Sequence, residues 1–179
     1  KVDISSLKII PKNNKLLIGI APFAAHKGKE YPLVQIKEVI KELNQDFNII
    51  LFGGGKKEEL ILDEIAGKYI NVVNLANKYS LDQEMDVISN LSIMLSMDSA
   101  NGHIAASLGI KVLTIWGVTH PFAGFGPYGQ QDQNNILVDR SKYLKIPTSI
   151  YGEKLPKGYE NAISSISSVE IISALRTSI

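Results

Sequence analysis

The chain has 179 residues, no cysteine, and 19 basic against 18 acidic side chains, giving a formal net charge of +1. That near-balance offers no bulk attraction for nucleic acid or an anionic membrane, and the missing cysteine excludes disulfides, thiolate nucleophiles and Cys-bound metal. With 45% hydrophobic and 21% charged residues the composition is that of one folded core, and no apolar run approaches the ~20 residues of a membrane-spanning helix.

Lys1 to Lys15 is polar, carries Pro11-Lys12-Asn13-Asn14-Lys15, and reads as a linker, leaving residues 16–179 as the domain. The chain opens on Lys1 without an initiator methionine or the apolar segment of a signal peptide, as a piece of a longer protein would. Leu16–Ala21 is a short apolar run stopped by Pro22, the signature of a strand buried on both faces. Pro32-Leu33 then opens a helix with Ile36, Val39, Ile40 and Leu43 on one face. Phe47–Phe52 is a second strand, closed by Gly53-Gly54-Gly55, and a helix is expected from about Lys57 to Tyr69, with Ile61 and Ile65 one turn apart.

Asn71–Val73 is a short third strand. Ser80 and Gln83 form a capping box, and Leu81, Met85 and Ile88 are the expected buried stripe of the helix they start. Ser92–Ser96 is a fourth strand ending at Asp98-Ser99. A short helix over Ala100–Leu108 stops at Gly109, and Lys111–Trp116 is a fifth strand. A Gly/Pro/aromatic segment (Gly117–Gly129) precedes a sixth strand at Asn135–Val138. Residues Asp139–Ile163 look irregular, and a last helix is expected near 168–177 with Ile171, Ala174 and Leu175 on one face. Apolar strands alternating with helices predict an α/β fold: a Rossmann-like parallel sheet of about six strands, helices on both faces, and ligands along the edge where the strands end.

Three segments at predicted strand ends carry unusual residues. Pro22–Pro32 holds His26, Lys27 and Lys29 before a helix N-terminus, which is an anion site or else a solvated basic loop. Gly53-Gly54-Gly55-Lys56-Lys57-Glu58 fits neither a Gly-x-Gly-x-x-Gly fingerprint nor a P-loop, and by itself is a tight turn. Asp98-Ser99-Ala100-Asn101-Gly102-His103 is the sharpest: a strand passes at once into a helix, small residues leave the first peptide N–H groups open, and His103 stands one turn in. The competing reading makes Ser99 an ordinary N-cap and His103 an interior histidine. A Ser99–His103 hydrolase lacks the Gly-x-Ser-x-Gly elbow, three scattered histidines make no metal site, and Ile20-Ala21-Pro22 lacks the acids of a phospho-receiver.

The ordered blocks Ala21-Pro22-Phe23…Lys29-Glu30-Tyr31-Pro32, Leu51-Phe52-Gly53-Gly54, Asp98–Gly109 and Trp116-Gly117-Val118-Thr119-His120-Pro121 resemble the carboxyl-terminal half of bacterial heptosyltransferases, GT-B enzymes of glycosyltransferase family 9. The resemblance runs from about Leu16 to Gly129. It implies one half of a GT-B fold that binds an ADP-sugar donor with no metal and no cofactor, the acceptor-binding amino-terminal domain and its general base lying outside this chain. It implies inverting transfer of heptose to a lipopolysaccharide core acceptor, in the cytoplasm, with the full-length protein peripheral to the inner membrane. By likeness, Ser99 and Ala100 hold the diphosphate, Lys29 and the Phe23-Ala24-Ala25 turn meet it from the other side, and Lys29 stabilises the leaving group. Gly54, Asn101 and His103 lie near the donor, Asp98 is near the sugar or holds the loop, Glu58 meets the ribose and Tyr79 walls the adenine pocket. His120 stands where the family usually has aspartate or serine. Alternatives are a GT-B transferase or epimerase using another nucleotide sugar, and a non-catalytic nucleotide-binding module.

Overall fold

The computed structural model describes Ile4 and residues 13–179. The expected linker, residues 1–15, therefore falls mostly outside the described residues. Of its described part, Ile4 is buried, and Asn13 exchanges side-chain hydrogen bonds with Asn48.

Six strands form one parallel sheet: β1 (Leu17–Ala21), β2 (Asn48–Leu51), β3 (Val72–Asn74), β4 (Ile93–Met97), β5 (Val112–Trp116) and β6 (Asn135–Leu137). The helices are α1 (Leu33–Leu43), α2 (Gly55–Ala66), α3 (Leu81–Ile88), α4 (Ala100–Ser107) and α5 (Ser168–Ser178). The strand order is β3-β2-β1-β4-β5-β6, so the winding reverses between β1 and β4. The sheet separates two apolar layers. Alternate residues (Ile18, Ile20, Ile49, Leu51, Leu95, Leu113) meet Ile36, Val39, Ile40 and Leu43 of α1, Leu62 and Ile65 of α2, and Ile171 and Leu175 of α5. Their neighbours on the strands (Leu17, Ala21, Ile50, Phe52, Met94, Val112) meet Val87 and Ile88 of α3 and Ala105 and Ala106 of α4. Each side chain of this size buried contributes roughly 1.5–3 kcal/mol, and both layers require the strands to be apolar on both faces.

Several boundaries and stripes differ from expectation. Helix α2 begins at Gly55 instead of Lys57, because the Glu58 carboxylate accepts the Gly54 N–H at 2.8 Å and so caps the start; it ends at Ala66 with Gly67 as the C-cap. Leu62, not Ile61, is its fully buried partner to Ile65. The Ser80–Gln83 capping box is present, but it places Leu81 at the helix's first position, 58% exposed; Val87 and Ile88 are the buried residues and Met85 is only half-buried. Gly109 follows α4 at φ +77°, the left-handed conformation a helix end favours.

Candidate functional site

The reversal between β1 and β4 leaves a crevice at their carboxyl ends, the place where open parallel sheets take ligands. Four loops meet there. From the β1 loop, Lys27–Lys29 makes one 3-10 turn, and its Gly28 carbonyl accepts the Val118 N–H of the β5 loop at 3.0 Å. The crossing is tight: a Cβ on Gly117 would lie 2.0 Å from the Gly28 oxygen, and one on Gly28 would lie 2.5 Å from Val118 Cγ2. Only glycine at both positions lets the two backbones touch.

This crossing aims Lys29 across the crevice. Its Nζ lies 3.0 Å from Asp98 Oδ2, with the two side chains only 11% and 7% exposed. The Thr119 hydroxyl donates to the same Oδ2 at 2.9 Å. Asp98 therefore holds the Lys29 ammonium, which carries three N–H donors, at the edge of the groove.

The 98–103 turn contributes a helix end. Ser99 has the extended backbone of an N-cap (φ −152°, ψ 168°), but its side chain does not cap; its hydroxyl pairs instead with Ser96 Oγ at 3.2 Å. This corrects the reading of Ser99 as a capping side chain. The N-terminus of α4 is left to attract an anion through its backbone N–H groups and the positive end of the helix dipole. His103 is exposed, not interior, and faces the same groove.

The groove these loops enclose has a volume of about 470 Å³. Of the residues named from the sequence, Phe23, Ala24, Ala25, Lys29, Gly54, Glu58, Asp98, Ser99, Ala100, Asn101 and His103 line it together. Tyr79 and His120 are not among its lining residues. Tyr79 is half-buried against the α3–α4 apolar layer. His120 is 3% exposed and accepts the Phe122 N–H on Nδ1 at 3.2 Å, its ring 4.2 Å from that of Phe122. Burial and the nearby Arg140 guanidinium push its pKa below the ordinary 6.5, favouring the neutral ring. Glu58 spends one oxygen on its own helix start, and its side chain stands between the groove and the neighbouring cavity, lining both. Phe125 also lines the groove, and the one signal it carries in the sequence is its place in the Gly/Pro/aromatic segment.

Behind Phe23 and Glu58 lies a second cavity of about 440 Å³, where Lys27 and Lys57 are offset by Glu30, Glu58 and Glu160. What sets the groove apart from this cavity as a place for an anion is the N-terminus of α4, whose first residues Ser99, Ala100 and Asn101 line the groove and not the cavity. Among the described residues no cluster of three His, Cys, Asp or Glu could hold a metal, and no helix is long and apolar enough to cross a membrane.

Comparison with known proteins bears on what the groove serves. The family described as "Glycosyltransferase family 9 (heptosyltransferase)" matches residues 5–151. Lipooligosaccharide heptosyltransferase 2 of Campylobacter jejuni subsp. jejuni serotype O:6 is 30% identical over 135 residues, covering 73% of this chain and 42% of that protein. Its namesake from Haemophilus ducreyi is 31% identical over 127 residues, covering 64% of this chain and 35% of that one. Among solved structures, E. coli ADP-heptose LPS heptosyltransferase II superposes with a TM-score of 0.74 at 21% identity, over 99% of this chain and 52% of the other. E. coli heptosyltransferase WaaC with ADP gives 0.68 at 20% identity, over 97% and 47%. These likenesses show the shared fold. The chain spans about half the length of the solved structures, and less than half of the curated relatives, that it matches.

Proposed function

The chain belongs to glycosyltransferase family 9, and from that premise we propose that it is the donor-binding half of an inverting heptosyltransferase. The donor is an ADP-sugar, heptose or a close relative, and the acceptor is a lipopolysaccharide core sugar. The acceptor hydroxyl attacks the anomeric carbon and ADP departs. The carboxylate that takes the hydroxyl's proton belongs to an amino-terminal acceptor domain beyond this chain, for which residues 1–15 serve as the connection. The full-length enzyme works in the cytoplasm at the inner face of the inner membrane.

One observation carries this reading: an uncapped helix N-terminus and a nearly buried lysine face each other across the sheet's reversal point. Negative charge grows on the diphosphate as the glycosidic bond breaks. Peptide N–H groups at Ser99 and Ala100 and the Lys29 ammonium are oriented before that charge appears, so they stabilise it without reorganisation and without a metal. Asp98, held by Thr119, keeps Lys29 in place. The Phe23-Ala24-Ala25 turn, Gly54 and Asn101 shape the groove, His103 stands beside the diphosphate, and Glu58 meets the ribose. Tyr79 borders the adenine and His120 supports the sugar end; neither lines the groove itself, so both act only at its margins.

Calorimetric titration of the chain with ADP and UDP tests the reading. We expect weak binding that favours ADP, lost on Lys29→Ala with the circular dichroism spectrum unchanged. In the full enzyme the same substitution should remove about 2–4 kcal/mol of transition-state stabilisation. Equal binding of both nucleotides, or of neither, overturns the adenine assignment; unchanged turnover overturns the role of Lys29.

A further inference from the structure

The β5 loop and the irregular 139–163 stretch meet at one end of the groove. Phe125 lines it, and the ring of Phe125 lies 5.4 Å from that of Tyr151, tilted by 58°. Tyr151 is 61% exposed and is not itself among the groove's lining residues; through its contact with Phe125, which is, it stands beside the groove. The turn that carries it is firmly seated. The Thr148 N–H donates to the Val118 carbonyl at 2.9 Å, and the Ser149 hydroxyl accepts the Gly152 N–H at 3.1 Å. Gly152 is buried with φ +80°, and a Cβ there would come within 2.6 Å of Lys29 Cδ and 3.0 Å of Thr119 Cγ2. Tyr151 is thus presented by a turn that rests on the stem of Lys29.

Strand order converts this juxtaposition into a direction along the ligand. Across the sheet from β2 to β5, the strand ends present the Gly53–Glu58 segment, the β1 loop, the 98–103 turn and the β5 loop in that sequence. A diphosphate seated between the β1 and β4 loops has one neighbour toward β2 and the other toward β5. Glu58 stands on the β2 side, where the donor reading puts the nucleoside. The sugar then extends toward β5, where the two rings stand.

We propose that Phe125 and Tyr151 form an aromatic wall that receives the C–H face of the donor's sugar ring and so favours nucleotide sugars over free nucleotide. The proposal rests on the donor reading above. A pyranose chair has one face of C–H bonds and a periphery of hydroxyls. An aromatic face supplies apolar contact and a negative quadrupole to that C–H face, leaving the hydroxyls to polar partners. The phenol oxygen of Tyr151 stays at the wet edge, as an amphipathic ring requires.

The test is titration of the 179-residue chain and its Tyr151→Ala, Tyr151→Phe and Phe125→Ala variants with ADP and with ADP-heptose. Tyr151→Ala should weaken ADP-heptose about 5- to 10-fold, the range expected of an aromatic contact, while ADP stays within about twofold. Tyr151→Phe should match the parent, and Phe125→Ala should follow Tyr151→Ala. Tyr151 is exposed, so its alanine variant should keep the parent's melting temperature. Unchanged affinity for ADP-heptose in both alanine variants overturns the wall. So does an equal loss for ADP and ADP-heptose, because the turn would then act through Lys29, and so does Tyr151→Phe behaving as alanine. If the parent binds ADP but fails these comparisons, the wall alone falls; if it binds neither ligand, the donor reading falls with it.

Discussion

His120 is almost wholly buried, offers Nδ1 to the Phe122 N–H, and has the Arg140 guanidinium for a neighbour. Burial first, and then that cation, disfavour its protonated form, so its folded-state pKa lies below the ordinary 6.5. In the unfolded chain the ring takes up a proton near 6.5. Below that pH the unfolded state binds a proton that the folded state refuses, so the contribution is whole above 6.5 and shrinks as pH falls toward the folded-state value. Melting temperature should therefore fall between pH 7.5 and 5.5, and His120→Asn should make the fall shallower. Asparagine retains an acceptor for the Phe122 N–H and removes the titration. Identical pH profiles for parent and variant would show that His120 does not titrate in this range. The same residue shows what single positions reveal in sequence. Lys29 and His103 stand out in the sequence because each lies within about a turn of an expected helix start at the end of an expected strand. The Lys29–Asp98–Thr119 network does not, since it joins three loops far apart in the chain.

The loops carry the constraint at the scale of elements. Where the β1 and β5 loops cross, a Cβ on Gly117 would sit 2.0 Å from the Gly28 oxygen, a backbone atom that cannot swing aside as a side chain can. Gly117→Ala must therefore push the loops apart, which breaks the Val118 N–H to Gly28 contact and unseats Lys29 from Asp98. We expect a loss of about 1–3 kcal/mol in chemical denaturation, the usual cost of overpacking, together with a clear loss of ADP affinity. Parent-like stability and affinity would mean that the crossing yields freely. The strands, by contrast, were read within a residue or two, because apolar runs bounded by Gly, Pro and Asn leave little choice. Helix α1 buries the Ile36, Val39, Ile40 and Leu43 face that its periodicity predicts, while α2 and α3 depart from expectation. In the eight-residue α3 the buried residues are confined to the last turn, Val87 and Ile88, while Leu81 in the first turn is exposed and Met85 half-buried. The turn at 148–152 gave no periodic signal, since what fixes it is packing against Lys29 and Thr119.

For the whole molecule, the parallel sheet with helices on both faces was legible from strands that are apolar throughout, while the strand order was not. Parallel strands joined by helical crossovers admit several orders, and only the register of β1 against both β2 and β4 places the reversal beneath the groove. That arrangement makes the sheet common property of two apolar layers, which has a consequence for unfolding. Leu95 belongs to the layer shared with α1, α2 and α5, whereas Met94 belongs to the layer shared with α3 and α4, and both are wholly buried on β4. Neither layer can melt and leave the other intact, because the same central strand carries both. Leu95→Ala and Met94→Ala should each cost about 2–5 kcal/mol, and each should move the whole transition. Trp116, the chain's only tryptophan, is buried at the end of β5 with its indole N–H on Asn135 Oδ1 at 2.8 Å, so its fluorescence reports the site end of the sheet. Its denaturation curve should coincide with that of far-UV circular dichroism in the parent and both variants, as one cooperative unit requires. If Met94→Ala separates the two curves, the α3–α4 layer unfolds independently, and the helix that offers its N-terminus to the groove is not held by the core as a whole.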